Sequence, residues 1–219
     1  MTVHPFRPCP CCDSLSRTKL HEQRFAAMES SLLEGYDVVA CDQCGFCFAD
    51  RIPEQAAFDR YYAEMSKYEW TGQESACDGA RFNAIARFVL GHHRWRGARV
   101  LEVGCGTGGL LIRVKAAGYS AVLGVDPSPA CVAAAENRGV PALVGTLADM
   151  DVPNKSQDCV VLSGVLEHVR DLGAALGRLN GVLVEGGVLC VVVPDASRYD
   201  EAQEAPFAEF SVEHVNYFG

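Results

Sequence analysis

Two pairs of cysteines bracket the first fifth of this sequence. "CPCC" supplies Cys9 and Cys12, "CDQC" supplies Cys41 and Cys44, and 28 residues separate the pairs. A Cys-x-x-Cys turn grips a soft cation from one side, and two such turns complete a tetrahedron of four thiolates. The expected metal is zinc, held by Cys9, Cys12, Cys41 and Cys44 in a closed structural site with no position left for a substrate. Cys11 lies in the same tetrapeptide, so either Cys11 or Cys12 satisfies the spacing. Gly45 follows the second pair, where a metal knuckle turns, and "YDVVAC" reads as a strand leading into it.

The second group with chemical potential is "VLEVGCGTGG", Val100 to Gly109. Glycine sacrifices backbone entropy, so such a cluster implies a tight turn or a close approach. Gly104, Gly106 and Gly109 fit G-x-G-x-x-G, a dinucleotide fingerprint. Gly104, Gly106 and Gly108 fit G-x-G-x-G equally well. Asp126, 22 residues past Gly104, can accept hydrogen bonds from two ribose hydroxyls, but NAD and S-adenosylmethionine share that ribose. Glu102 separates them. A carboxylate at the mouth of the loop repels a pyrophosphate and suits the cationic amino group of a methionyl moiety. A nicotinamide dehydrogenase is therefore the disfavoured reading.

Positioning these groups requires strands that end at the loops. Val100–Val103 reads as a strand and Gly108–Ala117 as a helix, with Gly118 placed to end it. Ala121–Val125, Ala142–Val144, Cys159–Ser163 and Val188–Val193 read as further strands. Pro129–Arg138 and Leu172–Leu183 read as helices, the second ended by Gly186–Gly187. Short apolar runs alternating with helices imply a doubly wound parallel α/β sheet. Upstream, Phe82, Ile85, Ala86, Val89 and Leu90 form one apolar helical face. The expected division is a zinc-ribbon module over 1–52, a helical linker or lid over 53–96, and an incomplete cofactor-binding core over 97–219. Two further strands are expected of such a sheet, so the C-terminal strands are read as truncated.

The chain has 219 residues, is 49 % hydrophobic and carries a formal net charge of −9. That balance lacks the basic footprint of a nucleic-acid binder. No apolar run reaches membrane-span length, and the N-terminus has no signal-peptide core. A cytoplasmic location is expected, where eleven cysteines serve as metal ligands or core residues rather than disulfides.

"VLEVGCGTGGLL", "VLGVDPS" and "QDCVVLSGVLEHV", in that order, resemble the first, second and fourth motifs of class I S-adenosylmethionine-dependent methyltransferases, covering residues 98–195. With the four-cysteine module, a tyrosine-bearing segment (Tyr61, Tyr62, Tyr68) and "FSVEHVNYF", the chain resembles a bacterial family. That family includes the C-methyltransferases of nucleotide-linked deoxysugars. The resemblance implies S-adenosylmethionine held by Glu102, Gly104, Gly106, Gly108, Asp126 and Pro127, with Ser163 at the end of the fourth strand. Thr146, Leu147 and Asp149 would meet the adenine. It also implies that a base removes a proton beside a sugar keto group and that the enolate attacks the methyl carbon. Glu213 and His214 match the family's Glu-His pair, with Tyr62 and His168 (of Glu167–His168) as further catalytic candidates. Ser211 stands where the family has a tyrosine. Imidazole is the natural base, since its ordinary pKa lies near neutrality. The expected partner is a small-molecule acceptor, with a nucleotide-sugar as the specific case. O- or N-methylation of another metabolite or glycan, and a non-catalytic scaffold, are the alternatives.

Overall fold

The computed structural model describes residues 4–25, 32–64, 75–92, 95–201, 207 and 210–219. The chain falls into two compact units. The smaller comprises residues 1–61, 164–173 and 192–219, and the larger 62–163 and 174–191.

The larger unit is a five-stranded sheet flanked by helices. Its elements are α2 (Ala76–His92), β4 (Val100–Val103), α3 (Gly109–Ala116), β5 (Val122–Asp126), α4 (Pro129–Asn137), β6 (Ala142–Val144), β7 (Gln157–Ser163), α5 (Leu172–Val182) and β8 (Leu183–Val192). The strand order is β6-β5-β4-β7-β8. β4 pairs in parallel with both β5 and β7, and β5 with β6. The first strand of the set is thus central, and the chain winds outward from it in both directions. Such a reversal of strand order opens a crevice outside the carboxyl ends of the strands, where this class of sheet holds its ligand. Every residue of β4 is buried, as a strand covered on both faces requires. Leu110, Leu111 and Val114 of α3 and Cys131, Val132 and Ala135 of α4 are buried. Each of the leucines contributes about 1.5–3 kcal/mol. On α2 the expected stripe is the buried one: Phe82, Ile85, Ala86 and Val89.

The largest boundary difference from the sequence reading lies between the last helix and β8. Gly186–Gly187 does not end α5. The helix stops at Val182, and both glycines lie within β8, where Gly186 adopts φ +74°. A glycine pair bends a strand as readily as it closes a helix, and periodicity does not tell the two apart.

The smaller unit is built on a second sheet of order β1-β2-β3-β9. β1 is Arg17–Arg24, β2 Gly35–Cys41, β3 Cys47–Asp50 and β9 Asn216–Tyr217. All its pairings are antiparallel. The C-terminal residues therefore return to the N-terminal cysteine module, with Phe48 opposite Asn216 and Cys47 opposite Tyr217. Helix α1 (Gln55–Glu64) follows β3.

Arg7 fastens this return. Its guanidinium donates to the backbone oxygens of Arg170 and Val215 at 3.0 and 2.7 Å and to Asn216 Oδ1 at 3.1 Å. It also lies 4.9 Å from the centre of the Phe48 ring. Burial, followed by repulsion from Arg170, lowers its pKa to about 10. These bonds satisfy the two terminal nitrogens and offset much of the cost of burying the cation, while the buried Nε has no hydrogen-bond partner among the described residues. Arg7→Met should therefore cost roughly 3 kcal/mol, chiefly by stranding the buried acceptors. Urea denaturation monitored by circular dichroism checks this, and a loss below about 0.5 kcal/mol would contradict the clamp.

Candidate functional site

In the smaller unit, two similar knuckles bring the four cysteines together. The Asp13 N–H donates to Cys9 O and the Gly45 N–H to Cys41 O, each at 2.9 Å. The fifth residue of each knuckle has positive φ, 58° at Asp13 and 77° at Gly45. Asn, Asp and Gly are the residues that enter this region most easily. The Cys9–Cys44 sulfurs lie 3.6 Å apart and the Cys12–Cys41 sulfurs 3.5 Å apart. All four lie within 4.8 Å of one another. Four sulfurs at 2.3 Å from one ion would be about 3.8 Å apart. Cys12, not the exposed Cys11, belongs to the cluster. The N–H of Cys44 leads the groups that pull the Cys41 thiol down, while the Cys9 and Cys12 thiols beside it are pushed up, as in a crowded group of thiols that share protons.

The same unit contains a second titratable cluster. The turn Leu166–His168 presents Glu167 and His168, and the segment before β9 presents Glu213 and His214. His168 Nδ1 lies 3.0 Å from the backbone oxygen of Glu213. The His168 and His214 rings are 4.9 Å apart and tilted by 59°. Tyr61 Oη donates to Glu213 Oε1 at 2.9 Å. Burial, then this hydrogen bond, pushes the Tyr61 phenol up to about 12, so it remains a donor. Of the segment that carries Tyr61, Tyr62 and Tyr68, it is Tyr61 that bonds Glu213; Tyr62, the catalytic candidate, is its neighbour on α1. Adjacent helical side chains diverge by about 100°, so of two adjacent tyrosines only one points in a given direction. Tyr68 lies outside the described residues.

In the larger unit, the glycine loop joins β4 to α3. Gly104, Gly106 and Gly108 have φ of 74°, 51° and 78°, a run that only glycine adopts without strain. A Cβ on Gly108 would sit 3.1 Å from Val140 Cγ2. Asp126, at the end of β5, anchors the loop: Oδ2 accepts from the Gly106 N–H at 2.8 Å and Oδ1 from the Ser128 N–H at 3.0 Å. Pro127 sits between Asp126 and Ser128, whose hydroxyl caps α4 by accepting from the Cys131 N–H. Gly124 is the residue that sequence reasoning overlooked. A Cβ there would fall 2.6 Å from Cys105 Sγ, so the bare backbone of β5 makes room for the loop's buried thiol.

Glu102 is completely buried. Burial, then the charge of Asp126, raises its pKa well above the ordinary 4.5, opposed by Arg81. Its Oε2 has no hydrogen-bond partner among the described residues, nor does the buried Ser163 Oγ at the end of β7. Buried polar atoms without partners are rare and mark places where a ligand or water completes the network. After β6, Asp149 Oδ1 accepts from the Thr146 N–H at 2.6 Å and from Thr146 Oγ1 at 2.8 Å. The Thr146 N–H is also the leading cause that lowers the Asp149 pKa. Leu147 is buried in this turn. The cofactor-side residues named from sequence thus all lie at, or just after, the carboxyl ends of β4, β5, β6 and β7.

A family model described as "Methyltransferase domain" matches residues 58–219. The chain belongs to the methyltransferase-domain family. A ubiquinone biosynthesis O-methyltransferase of Bradyrhizobium sp. (strain ORS 278) is 39 % identical over 101 residues, 43 % of this chain and 39 % of that protein. The tRNA U34 carboxymethyltransferase of Pseudomonas aeruginosa is 32 % identical over 205 residues, 88 % of this chain and 56 % of that protein. The chain thus spans between about two fifths and just over half the length of these curated relatives. Among solved structures, the methyltransferase complexed with the Trm112 activator of Haloferax volcanii is similar at TM-score 0.52 and 21 % identity, over 64 % of this chain and 67 % of that one. The PH0226 protein of Pyrococcus horikoshii OT3 is similar at TM-score 0.51 and 21 % identity, over 60 % and 64 %. These likenesses support the Rossmann-like doubly wound fold of the sheet; the cysteine cluster near the N-terminus is a feature of this chain's own structure. No helix among the described residues is long and apolar enough to cross a membrane.

Proposed function

We propose that this chain binds S-adenosylmethionine and transfers its methyl group to a small-molecule acceptor, and that Cys9, Cys12, Cys41 and Cys44 hold a structural zinc ion. The observation that carries the first reading is Glu102, a buried carboxylate with a partnerless oxygen at the end of the strand that feeds the glycine loop. Such a group accepts the donor's cationic amino end and disfavours a pyrophosphate. The bound donor supplies an electrophilic methyl group on a sulfonium. Asp126 takes the ribose hydroxyls, the 104–108 backbone admits the methionyl chain at close range, and Thr146, Leu147 and Asp149 frame the adenine.

On the acceptor side, His214 removes a proton, Glu213 balances the charge that results, His168 orients the His214 ring by packing against it, and the Tyr61 phenol holds an acceptor oxygen. Orientation does most of the work, since holding reacting atoms about 3 Å apart and in line replaces a bimolecular encounter. These groups suit proton removal beside a carbonyl. The acceptor we favour is accordingly a nucleotide-linked keto sugar methylated at carbon. O- or N-methylation of another metabolite is the second choice. Two named relatives act as a ubiquinone-biosynthesis O-methyltransferase and a tRNA U34 carboxymethyltransferase. The net charge of −9 favours a small acceptor over an RNA. The expected compartment is the cytoplasm.

Isothermal titration with S-adenosylmethionine and, separately, NADH is the direct test. Binding of NADH alone by folded protein would overturn the assignment. Glu102→Gln sharpens it. Because the folded pKa of Glu102 is raised, the folded chain keeps a proton there that the unfolded chain releases above about 4.5. Stability from this group is full below that pH and declines as pH rises through the window above it. At neutral pH Glu102→Gln should stabilise the ligand-free chain by about 1 kcal/mol, yet weaken S-adenosylmethionine by roughly 10- to 100-fold. A thermal melt of each protein with and without the ligand reads both effects.

A further inference from the structure

Glu167, His168 and His214 each offer one donor atom, and the three atoms lie within 4.8 Å of one another. We propose that they form a binding site for a divalent first-row transition ion, separate from the four-cysteine cluster. Two imidazoles and one carboxylate are the donor set of open metal sites that retain positions for water or a substrate oxygen. Donors on one ion at about 2.1 Å sit roughly 3–4 Å apart, so side-chain rotations that close the widest gap by about 1 Å bring these three onto a common centre.

Three further observations support a built site. His168 Nδ1 lies 3.0 Å from the Glu213 backbone oxygen. That bond places the proton on Nδ1 and directs the Nε2 lone pair away from the backbone. Metal-binding histidines are oriented in this manner. Second, His168 Nε2 faces Glu167 Oε1 at 4.0 Å, and Glu167 is almost fully buried. A carboxylate is taken out of water at high cost unless a cation accompanies it, and a divalent ion supplies more charge than one imidazolium. Third, the two donor segments are fixed to each other. The Val215 N–H donates to Glu167 O at 2.7 Å. The buried Asn216 side chain donates to Leu166 O and Val169 O at 2.9 and 2.6 Å. Rigid backbones on both sides pre-organise the donors, as metal sites require.

The site is independent of methyl transfer as a binding event. Its use, holding an acceptor oxygen so that a neighbouring C–H or O–H loses its proton more easily, rests on the function proposed above. The two uses of His214 exclude each other: with an ion bound it would be a ligand, and the ion would polarise the acceptor oxygen in place of the proton removal assigned to His214 above.

The test uses the full chain with zinc retained on its cysteines. Mn2+ is titrated in and followed by the electron paramagnetic resonance signal of the free aqua ion. Manganese prefers oxygen and nitrogen donors and avoids thiolate sites. Wild type is expected to take up about one Mn2+. Glu167→Gln and His214→Ala, each checked for native circular dichroism, are expected to weaken it by at least ~10-fold. Glu167→Gln keeps the side-chain shape and guards against a mere folding defect. No uptake by wild type, or equal uptake by both variants, overturns the site. S-adenosylmethionine titrated into the same samples reports the methyl-donor reading separately.

Discussion

Asp126→Ala is expected to weaken S-adenosylmethionine binding by at least ~100-fold while the chain stays folded. In the ligand-free chain both carboxylate oxygens are already committed. Oδ2 accepts from the Gly106 N–H and Oδ1 from the Ser128 N–H. Hydrogen bonds to a charged acceptor contribute about 1.5–3 kcal/mol each. Removing the carboxylate frees the middle of the glycine loop and the start of α4 together, and also deletes the group that would take the ribose hydroxyls. Asp126→Asn retains one acceptor oxygen and should fall between alanine and wild type. A carboxylate close to Glu102 also disappears, so the Glu102 pKa, raised first by burial and then by Asp126, should move back toward the ordinary range. Titration calorimetry measures the affinity and a thermal melt the fold. If the alanine variant bound the ligand within about threefold of wild type, the loop would not be the cofactor site.

The second large effect concerns the cysteines. Cys9→Ser with Cys41→Ser, or prolonged chelation, should remove one zinc per chain and unfold the smaller unit. Apparent binding energies of structural thiolate zinc reach roughly 10–16 kcal/mol, as large as the whole stability of an ordinary small domain, about 5–15 kcal/mol. The consequence extends beyond the N-terminus. Residues 164–173 and 192–219 belong to the same compact unit, and they include Glu167, His168, Glu213 and His214. Loss of the metal should therefore abolish methyl transfer while S-adenosylmethionine binding by the larger unit persists. Cys11→Ser should leave the zinc content unchanged, because Cys12 completes the cluster. Elemental analysis decides the count. Wild-type protein with almost no zinc, or an undisturbed near-ultraviolet spectrum after chelation, would refute the structural role.

How much of this was legible beforehand follows from the range of each signal. The glycine loop, Asp126 and the alternation of strands and helices are local patterns. A 3.6-residue or two-residue period, or a glycine where φ must be positive, is dictated within a few positions. The four-cysteine cluster was equally legible, because tetrahedral thiolate geometry tolerates few spacings. The choice of Cys12 over Cys11 was not, since it depends on which way each knuckle side chain leaves the turn. Tyr61 against Tyr62 is the same kind of question. The bend at Gly186 within β8 shows the limit even for local cues, because one glycine pair serves two backbone purposes.

What the sequence by itself determined was the chemistry of the parts: two Cys-x-x-Cys knuckles, a glycine loop with carboxylates on either side, and a Glu-His pair in its last residues. What the tertiary structure decided was which parts share a unit. β9 pairs with β3, and buried Arg7 and Asn216 fasten the segment that carries Glu213 and His214 beside the turn that carries Glu167 and His168. No periodicity announces that pairing. A two-residue strand has too few positions to show an alternation, and its partner is most of the chain away. Its stability comes from buried hydrogen bonds, which exist only once distant segments have met.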